Sequence, residues 1–426
     1  MVIKGPVMAH PVVSVDLPHV VVILGCTVRR DQVGLHGSQA GVTPRLDALG
    51  ESGVVFDDVL VAAPWTRAAS GAIVTGRHPL RLGLADVSVG RDDRGLGHSA
   101  FLLSEAMQHA GYRTVGITTN PNLHSDYGFA KGFDSYIQPR GLWRDDNAKV
   151  QGKAALPWLF DEVADAAATG RPVYVQSMWV DAHSPYQAKA ADRAAFHSPG
   201  IPTEIAAYRV ALNRLDTVVG KMLDGLQDAG LDADRTVVVF VSDHGEGLSF
   251  PPHHGHAHGR YLSPSSTGGV WVMAGSGVPA GRRVGGLASH VDVMPTLLAL
   301  LGLNVPDTDG VDLSAAVVGR SAISPRRHAF TDTWFLDVNR AAVWSDAWAC
   351  QRQFGGRAES HFPDACFDRV ADPDHSTALP LNELDEVLGW WRVEAEVDVP
   401  LDARDVVPDR DQAAALEALG YADPEP

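Results

Sequence analysis

The chain has 426 residues, with 52 acidic against 35 basic side chains and a formal charge of −17. That acidic excess excludes an extended phosphate backbone as partner, because nucleic acid is held by clustered Lys and Arg. Hydrophobic residues at 45% and charged residues at 20% exclude a disordered or collagen-like chain and leave a globular protein, either one large α/β domain with a small addition or two medium domains.

From Met1 to His19 there is one Lys and no apolar run of signal-peptide length, and the run Val20 to Leu24 is far too short to span a bilayer. The expectation is a protein with no membrane partner, located in the cytoplasm. His19 to Gly25 is β-branched and continuous, the pattern of a fully buried parallel strand, and it runs into a polar loop at Cys26 to Asp31. The same syntax recurs at Pro172 to Val180, before Asp181-Ala182-His183-Ser184-Pro185-Tyr186, and at Thr236 to Val241, before Ser242-Asp243-His244-Gly245-Glu246-Gly247. Ligand sites of open parallel sheets lie beyond the carboxyl ends of their strands, so three polar clusters are expected at one edge.

Helical periodicity appears at Ala100 to Ala110, Tyr208 to Ala229 and Val291 to Leu301, the last closed by Gly302. Strands alternating with helices predict an α/β fold with a central sheet between helices. After about Pro325 the pattern turns to short strands and loops and ends in a helix at Asp409 to Leu419. The expected division is a core at 15–325 and a small β/α subdomain at 326–426. Cys350 and Cys366 either pair across a hairpin or stay reduced and half-buried, and the lack of an export signal favours the reduced state. The Trp390-Trp391 pair reads as core packing.

Asp243 and His244, side by side at a strand end, suit a hard or borderline divalent cation, although an Asp there also caps turns. His253, His254, His256 and His258 crowd six residues before Arg260, and position rather than number singles out His258 and Arg260. Asp181 and His183, two apart on an extended segment, point the same way, His183 toward an anion and Asp181 toward a partner that fixes its tautomer; an Asx-type turn is the alternative. Ala63 to Gly76 reads as a tight entry into a helix of small residues. Thr66 there is either an N-cap or a hydroxyl facing a tetrahedral anion at the helix N-terminus.

In this order and at these separations the segments resemble the sulfatase family of the alkaline phosphatase superfamily. The resemblance runs through Ile23 to Gly34, Thr43 to Leu49, Pro64 to Gly76, Gly111 to Asp134, Asp181 to Tyr186, Ser242 to Gly247, Val278 to Thr296, Phe367 to Pro373 and Ala415 to Tyr421. It implies a central mixed sheet, a divalent metal at the strand edge, and attack on the sulfur or phosphorus of a small anionic ester. Carried over by position, Thr66 is the nucleophile, Asp243 and His244 are metal ligands, His183 and His258 contact the ester, and Arg260 neutralises its charge. Asp181 and Arg67 are the remaining substrate contacts.

The departures bear on activity. Formylglycine-dependent members carry Cys or Ser, a Pro two residues on and an Arg four on, where this chain has Thr66, Ala68 and Ser70. Thr66 cannot mature to formylglycine, so the resemblance implies direct threonine attack. Cys26 stands where the family has an acidic first-strand ligand, which favours zinc if the sulfur is a ligand and otherwise leaves calcium, magnesium or manganese. The glutamates expected after His-Gly-Arg are replaced by Tyr261 to Ser266, and Asp31 reads as structural. Two functions follow: a metal-dependent ester hydrolase or transferase, or a catalytically inactive relative with a degenerate metal site that acts by binding.

Overall fold

A computed structural model describes residues 1–5, 17–87, 93–139, 151–248, 258–324, 328–335, 338–356, 363–397, 404–408 and 410–419. His253, His254 and His256 lie outside the described residues. A nine-stranded sheet forms the centre, in the order Val2–Lys4, Ser135–Ile137, Arg113–Thr118, Val173–Trp179, His19–Gly25, Thr236–Ser242, Trp271–Gly275, Gly53–Leu60 and Arg282–Ser289. His19–Gly25 pairs in parallel with Val173–Trp179 on one side and Thr236–Ser242 on the other. Trp271–Gly275 is antiparallel to both its neighbours, and Val2–Lys4 to its single one, which makes the sheet mixed.

The continuous apolar run at His19–Gly25 is explained by its central place. Val20, Val22 and Leu24 enter one core layer, while Val21 and Ile23 enter the other, as the two-residue period of a strand dictates. The first layer is closed by helices Thr66–Thr75, Leu103–His109 and Val293–Leu300, and the second by Pro44–Glu51, Gly152–Ala167 and Thr203–Asp228. Helices on both faces of a mixed sheet match the alkaline-phosphatase-like architecture expected from the sequence.

The smaller sheet runs Ala365–Asp368, Trp348–Gly356, Val338–Trp344, Ala329–Phe335 and Asp86–Val87, the last strand contributed from early in the chain. Helix Glu383–Val397 covers it through Leu384, Leu388 and Trp391. Trp391 stacks on Phe330 at 4.5 Å between centroids, whereas Trp390 is 65% exposed, so only one of the pair joins the core; adjacent helical residues face different ways. Arg369 and Arg30 both bind Asp58, tying this sheet to the main one.

The expectation of reduced, half-buried thiols is overturned. Cys350 and Cys366 are directly opposite in the antiparallel register, both fully buried, and disulfide-bonded. Facing positions of neighbouring strands bring the two side chains together, which sequence separation alone could not reveal. Among the described residues no helix is long and apolar enough to cross a membrane.

Candidate metal centre

The parallel strands deliver their loops to one edge. Cys26 follows Gly25, Asp243 and His244 follow Ser242, and Thr66 arrives from Gly53–Leu60 through a short loop. The Asp243 amide donates to the Gly25 carbonyl at 3.0 Å, which holds the two central loops together. Cys26, Thr66, Asp243 and His244 are all fully buried.

The donor atoms of Cys26, Asp243 and His244 lie within 4.8 Å of one another. Asp243 Oδ1 accepts from the backbone amides of Thr27 at 2.9 Å and His244 at 2.6 Å. Its other oxygen, Oδ2, is buried without a hydrogen-bond partner, 3.4 Å from His244 Nε2. His244 Nδ1–H donates to the Gly245 carbonyl at 2.7 Å, which leaves the Nε2 lone pair for another partner. Gly245 is required here, because a Cβ would lie 1.8 Å from the Ser265 carbonyl oxygen.

A thiol, an orphaned carboxylate oxygen and an imidazole nitrogen form a donor set that fits a zinc ion with one open position. Burial pushes the Cys26 thiol well above its usual range, with Asp243 adding to the effect. Burial likewise lowers His244 to about 4 despite Asp243. The centre without metal is thus a neutral thiol and a neutral imidazole around one carboxylate, and a cation would have to displace the thiol proton.

Thr66 is the first residue of its helix, with Trp65 at the cap position, so the hydroxyl is not an N-cap. Its Oγ1 lies 3.3 Å from His244 Nε2 and 3.6 Å from Cys26 Sγ, and Asn120 Nδ2 donates to the same sulfur at 3.4 Å. Arg67 sends its guanidinium to the Arg94 carbonyl, to Asn122 and over the Tyr127 ring at 3.5 Å. Asp181 accepts the Gly152 amide on both oxygens, at 3.1 and 3.0 Å, at the start of helix Gly152–Ala167. The tautomer of His183 is set instead by the Ser184 carbonyl, 2.7 Å from Nδ1. Asp31 pairs with Arg29, the structural role expected of it.

His183 and His258 meet edge to face at 4.9 Å, and His258 lies 4.4 Å from the His244 ring. His258 Nδ1 is 3.1 Å from Glu246 Oε1, while Tyr186 donates its hydroxyl to Oε2 at 2.8 Å. Burial works against the Glu246 charge, yet His258, His183 and Tyr186 hold its pKa down to about 2. Arg260 is half-buried. Between it and His258, Gly259 has φ +93°, a Cβ there would meet Phe335 at 2.8 Å, and its carbonyl accepts from Thr333. The small sheet therefore seats the His258–Arg260 segment.

Sequence reasoning gave Glu246, Asn120 and His290 no role. All three are fully buried polar residues inside motifs already recognised, and only their convergence on one edge shows what they touch.

A family model described as Sulfatase matches residues 18–303. N-acetylgalactosamine-6-sulfatase of Canis lupus familiaris is 27% identical over 357 residues, covering 71% of this chain and 66% of the canine protein. Arylsulfatase A of Homo sapiens is 26% identical over 411 residues, covering 84% of this chain and 77% of the human protein. The phosphonate monoester hydrolase of Agrobacterium radiobacter superposes with a TM-score of 0.67 at 20% identity, over 92% of this chain and 100% of that one, a likeness of fold. With more than half of its length matched by that model and its loops meeting at one strand edge, the chain belongs to the sulfatase family.

Proposed function

We propose that this sulfatase-family protein binds a metal ion and a small anion without turning an ester over. The observation that carries this reading is the donor set: Cys26 stands at the family's acidic position, so Asp243 is the one carboxylate among the three donors. A shell of one carboxylate, one imidazole and one soft sulfur, which ligates as the thiolate once its proton is displaced, favours zinc over calcium, magnesium or manganese. Cys26 Sγ, Asp243 Oδ2 and His244 Nε2 would hold the ion. When bound, it would supply a fixed positive charge at the sheet edge.

Other groups assigned to substrate are engaged within the chain, which also supports binding over turnover. Arg67 is committed to Tyr127 and Asn122, Asp181 to a helix start, and Ser70 replaces the family's arginine. His183, held by the Ser184 carbonyl, His258, held by Glu246, and Arg260 are the groups proposed to meet a sulfate, phosphate or phosphonate. In this reading residues 15–325 carry the centre and 326–426 brace it. The disulfide fits an oxidising compartment better than the cytoplasm expected from the sequence.

A second reading, ester hydrolysis by direct attack of Thr66, is favoured by one contact: its hydroxyl lies 3.3 Å from the bare nitrogen of His244. Calorimetric titration with zinc and then with inorganic sulfate or phosphate tests the binding reading. Stoichiometric zinc uptake that is lost in Cys26→Ala, followed by anion binding, is the expected result. A protein that takes up neither zinc nor anion contradicts it.

A further inference from the structure

His290 lies just past the end of strand Arg282–Ser289, fully buried, where none of the site assignments above uses it. Its Nδ1 accepts the backbone amide of Ala62 at 3.3 Å. A neutral imidazole with an accepting Nδ1 carries its proton on Nε2. That nitrogen is buried beside the Ser242 backbone without a hydrogen-bond partner; burial holds the pKa of the ring down to about 3, with His244 adding to the effect.

Ala62 and Ser242 occupy informative places. Ala62 belongs to the loop that delivers Thr66, and its carbonyl accepts the Asp332 amide of the small sheet. Ser242 precedes Asp243 and His244, and its own amide and hydroxyl are committed to Val270. One ring therefore holds the Thr66 loop by a hydrogen bond and lies beside the strand end that carries Asp243 and His244, segments far apart in sequence. Asp292, in the same turn, accepts from the Ser289 amide at 2.7 Å and from Val311 at 2.9 Å, so the turn that carries the ring is itself braced.

We propose that His290 is a positioning residue that sets the separation between the Thr66 loop and the Cys26, Asp243 and His244 donors. The proposal rests on the metal-centre reading for its consequence but not for its geometry. An aliphatic side chain would fill part of the space and lose the acceptor for the Ala62 amide. An asparagine would keep an acceptor for the Ala62 amide.

The test compares His290→Leu, His290→Asn and Val163→Ala, the last a buried substitution on helix Gly152–Ala167 that lowers stability away from the centre. The first readout is the rate at which iodoacetamide labels Cys26, the free thiol, in folded, metal-free protein. His290→Leu is expected to label at least ten-fold faster than Val163→Ala at matched melting temperature, with His290→Asn in between. The second readout is cobalt affinity and the sulfur-to-cobalt absorption band. His290→Leu should lose at least ten-fold in affinity and shift the band, and His290→Asn should recover most of both. Equal labelling in His290→Leu and Val163→Ala overturns the proposal. A wild type that takes up no cobalt sinks the metal reading alone, because the labelling comparison still decides the role of His290.

Discussion

The backbone amide of Thr27 donates to Asp243 Oδ1 at 2.9 Å from a left-handed conformation, φ 55°, that β-branched residues rarely adopt. The Tyr208 hydroxyl donates to the Thr27 carbonyl, and the Thr27 hydroxyl to the Cys26 carbonyl. These links hold the strained residue in place beside the candidate metal ligands, where such strain is typically found. Thr27→Gly relieves the backbone strain and loses one hydroxyl bond, so its stability should change by less than about 1 kcal/mol. Thr27→Val keeps the branch without the hydroxyl and should cost roughly 1–2 kcal/mol in chemical denaturation. Equal losses in the two variants would contradict the strain.

Cys26→Asp places a second carboxylate beside Asp243. Without metal the two charges repel in a fully buried site, so the melting temperature should fall in a chelator. With calcium or manganese it should recover by several degrees, because a two-carboxylate shell suits hard cations. Elemental analysis should show the variant gaining those metals and losing preference for zinc.

Asp332 is 1% exposed, and neither carboxyl oxygen has a hydrogen-bond partner. Burial raises its pKa from 3.8 to about 7, with Arg392 opposing. The folded protein thus binds this proton more tightly than the unfolded chain. Its contribution is fully present below pH 4 and is lost as the pH rises to about 7, by roughly 4 kcal/mol at most. Asp332→Asn should flatten that slope, leaving stability at pH 4 unchanged and raising it at pH 8. A wild-type profile that climbs between pH 4 and 7 to the same extent as the variant's would contradict this assignment.

Thiol titration separates the cysteines. Unfolded without reductant, the protein should show one reactive thiol, that of Cys26, and three after reduction, since Cys350 and Cys366 are bonded. Three thiols before reduction would place the protein in the reduced state expected from sequence.

The sheet was legible where its strands are continuous. His19–Gly25 appears with the boundaries read from the sequence, Val173–Trp179 is shorter by a residue at each end, and Thr236–Ser242 is longer by one residue. Buried parallel strands advertise themselves through unbroken β-branched runs. Arg282–Ser289 was not legible, because Gly285 and Gly286 interrupt it and its register shifts between Val284 and Leu287. In the site, Asp243 and His244 stood out as adjacent candidate ligands, and their donor atoms lie close enough to Cys26 Sγ to share one ion. Asp181 did not reveal its contact with Gly152, because helix starts find their acceptors through tertiary packing. Glu246 was hidden by the motif that contains it, since its partners Tyr186 and His258 come from separate segments.

The most direct test of binding without turnover is the hydrolysis rate of aryl sulfate, phosphate and phosphonate esters by zinc-loaded wild type beside Thr66→Ala. The account predicts equal rates for the two proteins, both at the uncatalysed background. Turnover by the wild type that disappears in Thr66→Ala would contradict it and establish the threonine as a working nucleophile.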